Sequence, residues 1–364
     1  MTTVWLVNLG GNPTPVDGVS TAVRTYASAL TAAGIEARQV STPHGGLLAA
    51  LRGGRRLAAQ ATAARPAVVH LHSVYRPAHL TLAWGLARAG IPFVLSPHSG
   101  LSAGSRRRDR LRKSVWIGLV ERRLLRQAVA VAVLSDAERA DVLAIEPTAR
   151  CRYVPNVTES GPMTVPPPRA VRPGSRPRLL ALSRYDVVQK GLDRMAVLAG
   201  QLPEVDLVVR GAPDHNDPAA LRAVRRYMPA NMALEPPVTG EAKAEALARA
   251  DLYLQLSRWE GLSIALLEAL GAGVPCLVSR EVEVTLPVHL RPMVVVAPDD
   301  EAECAQVVRE LLADVGRREA LVRGSRAVVG SEHSTDALGR RLLQLYGLAE
   351  GEPLRVDQSF QTES

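Results

Sequence analysis

What most constrains this chain is an alternation of short apolar runs with amphipathic helical stretches, which occurs in two series. Val4 to Leu9, Ala67 to His70, Phe93 to Ser96 and Val129 to Leu134 form the first series. Parallel neighbours need a long crossover between them, and helices supply it, so the rhythm predicts a parallel sheet covered by helices. It stops at Thr158 to Pro177, a proline-rich stretch without period that reads as a linker. It resumes with Leu179 to Leu182, Asp206 to Val209, Leu252 to Leu256, Cys276 to Val278 and Met293 to Val296, separated by helices such as Ala242 to Arg249. The fold class is therefore α/β with two doubly wound domains. The chain has 364 residues, 47% of them hydrophobic, enough to bury two ordinary cores.

Other features narrow the function classes. No run of about 18 apolar residues is present, and the chain enters its first strand without a basic leader, which predicts a cytoplasmic protein. Three cysteines, Cys151, Cys276 and Cys304, are too few and too widely spaced for a disulfide framework or a cysteine zinc site. No metal site is expected. Asn156, Val157 and Thr158 match a glycosylation acceptor, but no secretory signal goes with them.

Ligands of open α/β sheets bind beyond the carboxyl ends of the strands, so the loops there hold the candidate residues. Leu252 to Gly273, LYLQLSRWEGLSIALLEALGAG, reads as strand, polar loop and helix. A helix beginning near Gly261 puts Glu260 in the loop at its N-terminus and Glu268 two turns along, in a different environment. Free amides near Leu262 and Ser263 suit a phosphate. Two glutamates at this spacing are ordinary surface acids taken alone; the strand, loop and helix around them single them out. Ser183 to Lys190, SRYDVVQK, follows another strand, and Arg184 and Lys190 flank its mouth. Two converging cations neutralise a diphosphate and stabilise the charge that grows as it leaves. A solvated loop is the other reading of this piece.

In the first half, the loop LGGNPTPVDG carries Gly10, Gly11 and Gly18, which permit close backbone approach. Its spacing is not the Gly-x-Gly-x-x-Gly of dinucleotide binding, which weakens the case for a nicotinamide dehydrogenase. SPHSG, Ser96 to Gly100, places His98 at the rim of the N-terminal sheet, where it contacts a sugar or acceptor or is simply structural.

Together these segments resemble the retaining glycosyltransferases of family 4. The resemblance spans roughly Val4 to Tyr346 and is strongest in SRWEGLSIALLEALGAGVPCLVS, Ser257 to Ser279. It implies the GT-B fold, two Rossmann-like domains facing a central cleft. The implied layout is an acceptor-binding domain over 1–157, a linker over 158–177, a nucleotide-sugar domain over 178–332, a helix over 333–349 crossing back to the first domain, and a polar tail over 350–364. By the same resemblance Arg184 and Lys190 bind the donor diphosphate, Glu260 sits beside the donor sugar, Glu268 contacts the ribose, and Gly18 approaches the diphosphate from the opposite domain. The family uses no obligatory metal. A nucleotide diphosphate sugar is the donor substrate; uridine diphosphate is the commonest family carrier and guanosine diphosphate the alternative. REVEVTLPVHLRP, after Ser279, departs from the family's usual glycine-rich stretch, so sugar contacts there do not carry over.

The acceptor is a hydroxyl, lipid-linked or on a small molecule. Residues 105–126 hold nine Lys or Arg against Asp109 and Glu121, in a chain of formal net charge +8. Leu111, Val115, Trp116, Leu119, Val120 and Leu124 recur there at helical spacing. The segment is either a domain helix with its apolar stripe in the core and a solvated basic face, or an interfacial helix on an anionic membrane. A nucleic-acid module lacks support: aromatics are only 4%, and no recognition motif accompanies the charge. A noncatalytic nucleotide-sugar or glycan-binding protein on the same fold is the alternative to an enzyme.

Overall fold

A computed structural model describes residues 2–8, 18–41, 46–107, 109–158, 175–213 and 217–349. The chain divides into two compact units, one comprising Met1–Asn156 with the segment from Thr335, the other Val157–Ser334. The linker expected over 158–177 lies outside the described residues except at Thr158 and 175–177, as do residues 9–17, with Gly10 and Gly11, and the tail 350–364.

The first unit has a six-stranded parallel sheet of β1 (Thr3–Asn8), β2 (Glu36–Val40), β3 (Val68–His72), β4 (Phe93–Ser96), β5 (Ala130–Val133) and β6 (Cys151–Tyr153), in the order β2-β1-β3-β4-β5-β6. One face carries Trp5, Val7, Val69, Leu71, Phe93 and Leu95, packed with Leu57, Ala61, Leu82 and Leu86 of the helices Leu47–Ala64 and Pro77–Arg88. Each fully buried leucine-sized side chain there contributes about 1.5–3 kcal/mol. Alternate residues point to the opposite face, so His70 and His72 leave this cluster and meet Tyr26 of the helix Gly18–Ala32. The helix Thr335–Leu345 packs on Gly18–Ala32, and a Cβ on Gly339 would lie 3.1 Å from the Ala29 carbonyl oxygen.

The second unit repeats the scheme with β7 (Arg178–Leu182), β8 (Asp206–Arg210), β9 (Met232–Glu235), β10 (Leu252–Gln255), β11 (Cys276–Val278) and β12 (Val294–Val296), all parallel, in the order β12-β11-β10-β7-β8-β9. The strand order reverses at β7, whose neighbours are β8 on one side and β10 on the other.

Two local expectations are corrected, and the stretch that departs from the family pattern gains a structure. The helix placed near Gly261 begins at Ile264, because Ser263 caps it: its Oγ accepts from the Leu266 amide at 3.3 Å. Glu268 is therefore just over one turn from the helix start, not two. The stretch after Ser279 forms a short helix, Arg280–Glu283, and a 3-10 helix, Val288–Met293. The basic segment is not one helix but Ala103–Arg107, Arg110–Trp116, a π-turn Ile117–Glu121 and Arg122–Gln127. Its apolar stripe splits into two rows. Trp116, Val120 and Leu124 join the core, whereas Leu111, Val115 and Leu119 are 85%, 61% and 72% exposed.

Candidate functional site

In the second unit the reversal of strand order leaves a crevice between the loops that follow β7 and β10, the place where ligands of this architecture bind. The first loop carries Lys190 and the second Glu260, and these form an ion pair with side chains 19% and 8% exposed. Glu260 Oε1 also accepts from Ser257 Oγ at 2.8 Å and from Gln255 Nε2 at 3.4 Å. Gln255 in turn accepts from Ser263 Oγ at 3.1 Å and Tyr253 OH at 3.3 Å. The cap of the helix Ile264–Ala272 is thereby tied to the glutamate, which puts the helix N-terminus beside this network.

Close approach of the two loops is built in. Gly191 has φ +69°, and a Cβ there would lie 2.2 Å from the Leu256 carbonyl oxygen. The Arg258 amide donates to the Gln189 carbonyl at 2.8 Å. Its guanidinium makes two bonds to Asp193, at 2.8 and 2.7 Å, which raise its pKa further. The Arg258–Asp193 clamp thus holds the loop after β10 against the start of the helix Leu192–Gln201.

Arg184 Nη2 lies 3.2 Å from Gln189 Oε1 and 3.9 Å from an Asp186 oxygen, so it bridges the loop that carries Lys190. Glu268 is buried and paired with Lys243 of the helix Gly240–Ala248. Leu262 is buried just before the cap. Among the sequence-derived residues, Lys190, Glu260 and Ser263 share one hydrogen-bonded network, Arg184 stands beside it through Gln189, and Glu268 sits in a second ion pair deeper along its helix.

Gly18 and His98 belong to the other unit. Gly18 begins the helix Gly18–Ala32, and among the described residues nothing lies within 4 Å of where its Cβ would be. His98 is half-buried just past β4; His98 and Ser99 both adopt left-handed backbone, φ 50° and 58°. The Ser99 amide donates to Glu138 Oε1, and the Leu134 amide donates to Oε2 at 2.7 Å. Burial pushes the Glu138 carboxyl up to about 7 despite both amides.

Lys243, Arg258, Asp193 and Glu138 were not singled out in the sequence. A trace of Glu138 was visible: Ser135 and Glu138 have capping-box spacing, and Ser135 caps the helix Asp136–Ile145. The glutamate, however, serves the SPHSG loop. Lys243 has no sequence signal, since only the fold brings it to Glu268.

Among the described residues, no group of three His, Cys, Asp or Glu is placed to hold a metal ion, and no helix is long and apolar enough to cross a membrane. All three cysteines are free thiols. Beside the exposed row of Leu111, Val115 and Leu119, Arg122, Arg123 and Arg126 line an open groove of about 590 Å³ with Gly118 and Leu119.

Residues 16–157 match the Glycosyl transferase 4-like domain family, and residues 118–328, more than half of the chain, match the family described as Family 4 Glycosyltransferase in conflict systems. The chain belongs to family 4 of the glycosyltransferases. Sucrose-phosphate synthase from Thermosynechococcus elongatus is similar in structure over 95% of this chain and 98% of its own, with TM-score 0.79 and 18% identity. Anabaena HepE, solved with UDP-glucose, is similar over 95% of this chain and 100% of its own, with TM-score 0.74 and 14% identity. WaaG, a glycosyltransferase involved in lipopolysaccharide biosynthesis, is similar over 96% and 100%, with TM-score 0.60 and 17% identity. These likenesses confirm the GT-B fold. No curated protein sequence matches the chain.

Proposed function

We propose that this glycosyltransferase moves a hexosyl-type sugar from a UDP-sugar to an acceptor hydroxyl with retention of configuration and without a metal. The observation that carries the reading is the Lys190–Glu260 pair across the reversal of strand order, beside the capped helix start at Ser263. UDP as carrier is supported by the UDP-glucose complex of HepE, a protein of the same fold. Guanosine diphosphate has no such support here and remains an arm of the binding test.

In this scheme Arg184, Lys190 and the amides at the helix start receive the diphosphate, so positive charge meets the phosphates where charge develops. The bond from the anomeric carbon to the diphosphate oxygen breaks as the acceptor oxygen approaches on the same face, and the acceptor proton passes to the departing phosphate. Glu260 is engaged by Lys190, Ser257 and Gln255, an arrangement suited to orienting the sugar and stabilising positive charge rather than to nucleophilic attack. Glu268, with Lys243, contacts the ribose. Gly18 and His98 belong to the N-terminal unit, and His98 is read there as a contact to a sugar or acceptor.

The acceptor we favour is lipid-linked, reached at an anionic membrane on the cytoplasmic side. Leu111, Val115 and Leu119 are exposed, and Arg107, Arg110, Arg112 and Arg123 of the same segment are exposed too. Each basic residue near such a surface adds about 1 kcal/mol before screening. Turnover of a UDP-sugar panel with wild type and Glu260→Ala tests the enzymatic part: transfer lost in the variant supports it. Tight UDP binding without turnover of any donor or acceptor would favour a noncatalytic binding protein.

A further inference from the structure

The N-terminal unit contains a buried imidazole cluster at the ligand-facing end of its sheet. His70 and His72 share one face of β3, their rings stacked with centroids 4.2 Å apart. Both nitrogens of His70 meet hydroxyls: Nδ1 lies 2.7 Å from Tyr346 OH, just past the helix Thr335–Leu345, and Nε2 lies 2.7 Å from Ser96 Oγ. Hydroxyls donate or accept, so a neutral His70 is satisfied in either tautomer and forms a fixed platform. His72 has less freedom. Its Nδ1 lies 2.9 Å from Nε2 of His98, while its own Nε2 is buried without a hydrogen-bond partner among the described residues.

Of two imidazole nitrogens in a hydrogen bond, one carries the hydrogen and the other is bare. If His98 Nε2 carries it, His72 Nδ1 is bare and the remaining His72 proton is forced onto Nε2, a buried N–H with nothing to receive it. If His72 Nδ1 carries it, only a bare acceptor nitrogen stays unpaired. Orphaned buried donors are the rarer of the two in folded proteins. Burial, reinforced by His70, His98 and His79, keeps His72 from taking a second proton, its pKa lying well below the usual imidazole value. The partner ring cannot drift, because the left-handed turn at His98 and Ser99 is held by Glu138, and a Cβ on Gly100 would lie 2.4 Å from Val74 Cγ2.

We infer that His72 is a positioning residue that donates from Nδ1 to Nε2 of His98, fixing His98 as an Nδ1–H hydrogen-bond donor. The inference rests on the reading of His98 as a substrate-facing residue, and it specifies the chemistry available there. With Nε2 taken up by His72, His98 does not remove the acceptor proton through that nitrogen.

The test is two-bond 1H–15N spectroscopy of the full chain labelled at histidine, near neutral pH, with His98→Ala assigning the His98 signals. The expected result is hydrogen on Nδ1 and a bare Nε2 in the wild type. That state is lost in His72→Leu and kept in His72→Asn, whose amide N–H takes the place of Nδ1–H. Hydrogen on His98 Nε2 in the wild type overturns the inference, and so does a His98 tautomer unchanged in folded His72→Leu. The wild-type spectrum decides even if a variant does not fold. Failure of the parent reading looks different: UDP does not bind, whatever the His98 tautomer.

Discussion

Lys190 and Glu260, 70 residues apart in sequence, form an ion pair that joins the loop after β7 to the loop after β10. It stands where the strand order reverses, so the fold itself brings a cation and a carboxylate to the crevice. Donor binding must share Lys190 between Glu260 and phosphate. Glu260→Gln is expected to lower kcat on the order of 100-fold, as loss of one preorganised electrostatic contact does, with UDP affinity changed far less. Steady-state turnover beside UDP titration checks this; equal losses in both would assign Glu260 to ground-state binding instead.

Glu268→Ala leaves the Lys243 ammonium without its partner in a largely enclosed position. The expected cost is about 3 kcal/mol or more of stability, together with at least tenfold weaker UDP binding. Lys243→Met/Glu268→Leu recovers stability but not binding. Chemical denaturation and calorimetry on the same samples separate the two effects.

Gly191→Ala tests the close approach of the loops. The added Cβ meets the Leu256 carbonyl oxygen at 2.2 Å, and the backbone is left-handed at φ +69°. A loss of about 1–3 kcal/mol is expected, a fall in Tm of several degrees, with donor turnover falling alongside. Unchanged melting would show that the two loops have room for a side chain at this position.

Most of the fold was legible because buried parallel strands are written as apolar runs, and Phe93–Ser96 and Cys276–Val278 are found where those runs stand. The strands β2, β6 and β9 were not visible. Glu36–Val40, EARQV, lies at a sheet edge with exposed residues, Cys151–Tyr153 is three residues long, and Met232–Glu235 is another edge. The helix start was misplaced because Gly261 invites a turn, whereas the cap is a side-chain hydrogen bond from Ser263. Arg184, Lys190, Glu260 and Glu268 could be named from local pattern; Gln189 and Ser257, in the same loops as Arg184 and Glu260, carry no signal of their own, and Lys243 meets Glu268 only because the fold brings its helix there.

Glu138 predicts a pH dependence with a definite sign. Its folded pKa, about 7, lies above the ordinary carboxyl value of 4.5, so the native state holds the proton more tightly than the unfolded chain. Its contribution to stability is fully present below about pH 4.5 and is lost as pH rises through about 7. The stability difference between wild type and Glu138→Gln should therefore shift against wild type by roughly 2–3 kcal/mol between pH 5 and 8. A flat difference in denaturation curves across that range contradicts this account of the buried carboxyl.

Leu111→Glu/Leu119→Glu alters two side chains that are exposed, so the fold should be unaffected within about 0.5 kcal/mol. If these leucines enter a membrane, each contributes about 1.5–3 kcal/mol, and affinity for phosphatidylglycerol vesicles falls at least tenfold. Vesicle co-sedimentation measures it. Unchanged sedimentation would return the basic segment to a solvated surface.

The central claim, a UDP-sugar site built on the crevice of the second unit, is tested most directly by ligand-detected NMR and calorimetry against a panel of nucleotide diphosphates. Wild type is compared with Arg184→Ala and Glu268→Ala. The account predicts selective binding of UDP over GDP, ADP and CDP, weakened at least tenfold in each variant. Binding to none of the panel, or UDP binding unchanged in both variants, would contradict it.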